Sequence, residues 1–157
     1  KDVDFPRLIV LGGESERTEM ERLNDLVQEL NLNSNIEFVG PVDHSELPLY
    51  YNAADVVAIP SYYESFGLAA LEAMACGTPV ITSRNSGAKT FIEQGRSGYL
   101  IPWNCPEHYA ERLEILLKNP ILRANMGQKA TMEANKLSWN TAATKTELVY
   151  SNLIKSA

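Results

Sequence analysis

At 157 residues, of which 45% are hydrophobic, the chain is long enough to bury one real core and too short for two comfortable ones, so a single domain over residues 1–157 is predicted. A formal net charge of −6, with no basic run anywhere, argues against a nucleic-acid or anionic-membrane surface, since both reward clustered Lys and Arg. Two cysteines, Cys76 and Cys105, are too few for a disulfide framework and favour a reducing cytoplasm, and no apolar run approaches the roughly 18 to 20 residues that span a bilayer.

Residues 1–6 read as a connector running straight into a strand, with neither an initial Met nor a signal peptide, as in a piece of a longer chain. Asp2 and Asp4 lie in this start, where nothing would hold them around a metal. Residues 7–12 (RLIVLG) form an apolar run closed by Gly12 and Gly13, and Met20, Leu23, Val27 and Leu30 then recur at helical spacing. A strand at 35–39 (NIEFV) ends at Gly40 and Pro41, and a short helix follows at 45–53, with Pro48 in its first turn. Residues 55–60 (DVVAIP) look like a strand buried on both faces. A loop at 61–65 feeds a helix at 66–76, which Gly77 and Pro79 stop, and PVIT at 79–82 is the next strand.

Beyond it come a polar loop at 84–89, a short helix at 90–94, a strand at 99–101 and three helices from Pro106 onwards. Trp139, Leu148, Tyr150 and Leu153 read as docking residues of the last helix. Strands alternating with helices imply right-handed crossovers and a Rossmann-like α/β fold, a parallel sheet flanked by helices on both faces. The loops at 12–15, 40–43, 61–65 and 83–89 then share the carboxyl edge of the sheet and line one crevice, where open α/β sheets bind ligands.

The informative residue is Glu72. Its neighbours from Leu68 to Cys76 are apolar, and a carboxylate in the middle of a covered helix needs a polar partner. Glu64 lies eight positions earlier, and between the two the amides of Phe66, Gly67 and Leu68 occupy the first turn of the predicted helix, unpaired and at its positive end, a setting that suits phosphate. Two carboxylates bracketing an anion site describe a ligand with hydroxyls at both ends and phosphates between, that is, a sugar nucleotide. The plainer reading puts Glu64 at a helix start for its charge alone and Glu72 on a solvated stripe. A dinucleotide reading of Gly12-Gly13 lacks both the GxGxxG and an acid ending the second strand. His44 and His108 stand alone, so no metal site is predicted.

The run from Tyr51 to Ile81, YNAADVVAIPSYYESFGLAALEAMACGTPVI, resembles the signature of the retaining glycosyltransferases of family 4, which have the two-domain GT-B architecture. LIVLGG at 8–13, IEFVGPV at 36–42, GRSGYLI at 95–101 and LSWNTAA at 137–143 extend the likeness over nearly the whole chain. Within the family the stretch is most similar to sucrose-phosphate synthases and inositol-phosphate N-acetylglucosaminyltransferases. The resemblance implies the C-terminal, donor-binding half of such an enzyme, without its first β-α unit. An upstream Arg and Lys would clamp the diphosphate, and an N-terminal domain would bind the acceptor.

Residue by residue, the resemblance implies that Glu72 binds the donor ribose and that Glu64 is the catalytic carboxylate on the transferred hexose. The amides of Phe66, Gly67 and Leu68, with Gly13, would face the sugar and diphosphate, and Val39 and Pro41 would lie by the base. The donor is expected to carry UDP rather than GDP or ADP and to act as substrate, with no cofactor, no metal and no nucleic-acid partner. The fragment is expected to be inactive alone. The full-length protein is placed in the cytoplasm, with peripheral attachment to the inner membrane left open. A nucleotide-sugar epimerase or hydrolase of the same architecture and a non-catalytic binding module are the alternatives. Ser86-Gly87-Ala88-Lys89 departs from relatives that carry Gly-Gly and then Pro-Glu, so the contact of Lys89 is open.

Overall fold

The computed structural model describes residues 6–12, 17–84, 87–102 and 105–155. By their contacts these fall into two compact units, divided between Leu47 and Pro48.

The first unit holds β1 (Leu8–Leu11), α1 (Arg17–Glu29) and β2 (Ile36–Gly40). β1 and β2 pair in parallel, Leu8 opposite Ile36 and Val10 opposite Phe38, until a register shift brings Leu11 opposite Gly40. Gly40 has φ +83, a left-handed value that costs a residue with a Cβ but not glycine. That geometry lets its carbonyl accept from the Gly12 amide at 3.1 Å, so the ends of both strands are tied together.

The second unit begins with α2 (Leu47–Ala53), which starts at the division, followed by β3 (Val57–Ile59), α3 (Leu68–Ala75), β4 (Val80–Ser83), a 3-10 turn at Ala88–Thr90 and β5 (Tyr99–Ile101). Then come α4 (Pro106–Lys118), α5 (Pro120–Ala134), a second 3-10 turn at Asn135–Leu137, and α6 (Trp139–Lys155). The sheet runs β3-β4-β5, parallel throughout, with Val57 opposite Val80 and Ile81 opposite Tyr99. The parallel pairing predicted from the strand-helix alternation therefore holds in both units.

The strand buried on both faces is β4, all four of whose residues are buried, and not β3, where Ala58 is exposed. The reason is position: β4 is the middle strand of the three, and β3 lies at the edge. Against β4 and β5 sits the core of Ile81, Tyr99, Ile101, Leu116 and Met126, with Tyr109 and Leu113 packed on it.

Two contacts fix α3. A Cβ built on Gly127 of α5 would lie 2.0 Å from the carbonyl oxygen of Gly77, so only glycine there lets α5 press on the turn that ends α3. Next to it, the Thr131 hydroxyl donates to the Met74 carbonyl at 3.3 Å. The C-terminal end of α3 is thereby locked. In α6, by contrast, the docking residues Trp139, Leu148, Tyr150 and Leu153 are all exposed, so the docking predicted for them is not made within the described chain.

Candidate functional site

The stretch that leaves β3 does not enter a helix at Phe66, as helix propensity suggests. It turns through Gly67, with φ +92 and ψ +47, and α3 starts at Leu68. Gly67 is the N-cap, and its carbonyl accepts the first helical bond, from Leu71 at 3.0 Å. A left-handed cap explains the two-residue delay, because no propensity scale sees a positive φ.

The same turn uses Glu64. Its Oε1 accepts from the Gly67 amide at 3.2 Å, so one of the three amides predicted to be unpaired is already engaged. The bond also orients the carboxylate, which sits half-buried in the loop at the carboxyl end of β3. Leu68 and the next two residues keep amides for which the helix itself offers no acceptor, at its positive end.

The loop after β4 packs onto this turn. A Cβ on Gly87 would lie 2.2 Å from the Phe66 carbonyl oxygen and 2.4 Å from the Phe66 Cα. The Phe66 and Phe91 rings meet with centroids 5.6 Å apart at 46°, and a Cβ on Gly67 would touch Phe91 at 3.4 Å. Phe66 and Gly67 are thus held between Gly87 and Phe91. The loops predicted to share an edge after β3 and β4 do come together. Lys89, in the 3-10 turn, is exposed.

Glu72 is half-buried, one turn further along α3, and its Oε2 accepts from the Tyr51 hydroxyl at 3.3 Å. Tyr51 is only 7% exposed. Burial first, then the Glu72 charge, pushes the Tyr51 hydroxyl up to about 12, and the same two causes in the same order raise the Cys76 thiol. The predicted polar partner for a mid-helix carboxylate exists and comes from α2. Sequence periodicity gave no means of picking it, since Tyr50 and Tyr51 look alike in a short helix. Phe91 and Gly87 escaped for a related reason, their partner being more than 20 residues away in the chain.

Val39, the last residue but one of β2, and Pro41, just after that strand, are both exposed and both belong to the first unit. Gly13, Asp2, Asp4 and Ser86 lie outside the described residues. Among the described residues no three of His, Cys, Asp and Glu converge as metal ligands, and no helix is long and apolar enough to cross a membrane. An open cavity of about 330 Å³ beside β5 and α4 is lined by Arg84, Leu100, His108 and Arg112 among others, and includes none of the predicted residues. Its Arg112 is already stacked 5.2 Å from the Tyr99 ring centroid and paired with Glu111 at 3.6 Å.

The family described as glycosyl transferases group 1 matches residues 2–132. A D-inositol 3-phosphate glycosyltransferase of Corynebacterium jeikeium is 40% identical over 148 residues, which is 93% of this chain and 35% of that protein. Sucrose-phosphate synthase of Thermosynechococcus elongatus superposes with a TM-score of 0.85 at 35% identity, over 96% of this chain and 39% of that one. The Anabaena protein HepE, crystallised in complex with UDP-glucose, superposes with a TM-score of 0.81 at 24% identity, over 95% of this chain and 41% of that one. The chain spans about a third of the length of the curated relatives it matches. Its fold is that of the C-terminal domain of a GT-B glycosyltransferase.

Proposed function

The chain belongs to the glycosyl transferases group 1, and from that premise we propose that it forms the donor-binding part of an enzyme that moves a hexose from a nucleoside diphosphate sugar to an acceptor hydroxyl. The observation that carries the reading is the pair of half-buried carboxylates on either side of the α3 start, each met by a donor from within the fold. A carboxylate held in place accepts from a hydroxyl without first losing its own rotamer freedom.

In this reading Glu72 accepts from the ribose hydroxyls. Glu64, oriented by the Gly67 amide, accepts from the hydroxyls of the transferred hexose and is the catalytic residue. Because the Gly67 amide is engaged, the diphosphate is met by the amides of Phe66 and Leu68 and by the positive end of α3. Gly67 contributes its lack of a side chain and its left-handed turn. Transfer with retention of configuration, as in family 4, without a metal and in the cytoplasm, belongs to the same proposal. UDP is preferred over GDP and ADP, a choice supported by the UDP-glucose held by HepE.

Calorimetry on the intact protein tests the reading. UDP should bind more tightly than GDP, and Glu72→Gln should weaken UDP by roughly 1 to 3 kcal/mol, the scale of a lost charged hydrogen bond. Unchanged UDP affinity in Glu72→Gln would overturn the assignment. Proton NMR of the product of a UDP-hexose transfer reports the anomeric configuration and so checks retention separately.

A further inference from the structure

We propose that Tyr51 is a positioning residue for the donor nucleotide, aiming the Glu72 carboxylate at the ribose; this rests on the donor-site reading above. The hydroxyl of Tyr51 donates to Glu72 Oε2 at 3.3 Å across 21 positions of sequence. Tyr51 is itself fixed at both ends. Its side chain is 7% exposed, and its backbone carbonyl accepts from the buried Thr78 hydroxyl at 2.6 Å, which pins α2 to the turn before β4. Glu72 projects from α3, whose far end is locked by Gly127 and Thr131 of α5. Donor and acceptor therefore stand on two elements that do not slide independently, and the bond between them helps to set the carboxylate rotamer.

The alternative role, a ring that merely fills space, predicts that the hydroxyl is dispensable. The chemistry argues otherwise. A half-buried carboxylate that loses a donor either swings towards water or draws in a water, and in both cases its preset aim is lost. Burial and the Glu72 charge raise the Tyr51 hydroxyl to about 12, so the donor keeps its proton at neutral pH. At 3.3 Å the bond is long for a hydroxyl on a carboxylate, which sets the expected effect at the low end of the range.

The test is a double-mutant cycle on the intact protein, read by calorimetry with UDP and with 2′,3′-dideoxy-UDP. Tyr51→Phe keeps the ring and should weaken UDP about fivefold, the scale of one modest hydrogen bond. It should leave the dideoxy analogue unchanged, because that ligand has no ribose hydroxyls for Glu72 to meet. In a Glu72→Gln background the Tyr51→Phe effect on UDP should shrink to less than about twofold. In steady state the donor KM should rise while kcat holds, the pattern of lost ground-state binding.

If Glu72→Gln weakens UDP but Tyr51→Phe does not, or weakens both ligands equally, the positioning role is overturned and the donor site stands. If Glu72→Gln leaves UDP affinity unchanged, the donor-site reading has failed and the positioning role fails with it. Should Tyr51→Phe lower the thermal midpoint, the ratio of UDP to dideoxy-UDP affinity within that one variant still decides, because the folded fraction cancels.

Discussion

Gly87→Ala probes the seam between the loops after β3 and β4 with a single methyl group. The backbone at Gly87 has φ −69 and ψ −55, which any residue adopts, so the substitution carries no dihedral penalty and its effect is purely steric. The new Cβ would start 2.2 Å from the Phe66 carbonyl oxygen and 2.4 Å from both the Phe66 carbonyl carbon and Cα. Ordinary contact is about 3.5 Å, so the two loops must part by roughly 1 Å, and the obstacle is main chain that cannot rotate away. Overpacking of this kind costs about 1 to 3 kcal/mol, or a fall of roughly 3 to 10 °C in thermal midpoint for a chain of this size. The movement falls on Phe66, whose amide meets the diphosphate in the proposed site, and on Gly67, whose amide holds Glu64, so UDP affinity should drop by at least about tenfold. Differential scanning calorimetry and titration with UDP check the two effects. Gly12→Ala, whose Cβ meets nothing within 4 Å among the described residues, is the control for stability and should shift the midpoint by less than about 2 °C. A Gly87→Ala protein with unchanged midpoint and unchanged UDP affinity would refute the claim that this seam holds the α3 start.

Tyr51 also predicts a pH dependence of stability. Its folded pKa is raised from 10.0 to about 12, so the folded state holds the phenolic proton more tightly than the unfolded chain does. The stabilisation is complete below pH 10 and is lost as pH rises through about 12; urea midpoints should therefore fall over that interval, and less steeply in Tyr51→Phe. A second prediction concerns Arg123, which donates to the carbonyls of Leu116 and Leu117 at 2.8 Å each, at the end of α4, and pairs with Asp55 at 2.9 Å. Arg123→Ala should cost about 1 to 3 kcal/mol by urea denaturation, because it strips two helix-end carbonyls of a charged donor. Asp55 is largely exposed, and Asp55→Asn should cost less than about 1 kcal/mol. Equal losses in the two variants would show that the ion pair, and not the carbonyl capping, is what Arg123 contributes.

Much of the fold was legible because punctuation and periodicity are local. The strand at 99–101 and the helix from Pro106 fall where an apolar run and a proline at the first helical position put them. Where local signals misled, a longer-range or conformational cause can be named. The burial of β4 over β3 depends on strand order, which a run of apolar residues does not encode. The helix predicted at 90–94 is instead a 3-10 turn at Ala88–Thr90, where the Thr90 hydroxyl donates to the Gly87 carbonyl at 2.6 Å and the Ser97 hydroxyl accepts from the Glu93 amide at 2.9 Å. Side chains there compete with the backbone bonds a helix would need.

The two carboxylates of the candidate site differ in the same respect. Glu64 is held by an amide three residues on, so its placement is a property of the loop sequence, given a glycine free to take a positive φ. Glu72 is met by a tyrosine from another helix, and the need for a partner could be argued from the apolar surroundings of α3, whereas the partner's identity could not. This asymmetry has a consequence for perturbation. Loosening α2 should disturb Glu72, and hence ribose binding, while leaving the Glu64 geometry intact, since Glu64 is held by the Gly67 amide of its own turn. Thr78→Val removes the hydroxyl that donates to the Tyr51 carbonyl and is the mildest way to do so. The resulting protein should lose UDP affinity in the same direction as Tyr51→Phe and retain affinity for the dideoxy analogue; loss of both would mean that the two carboxylates are not independently held.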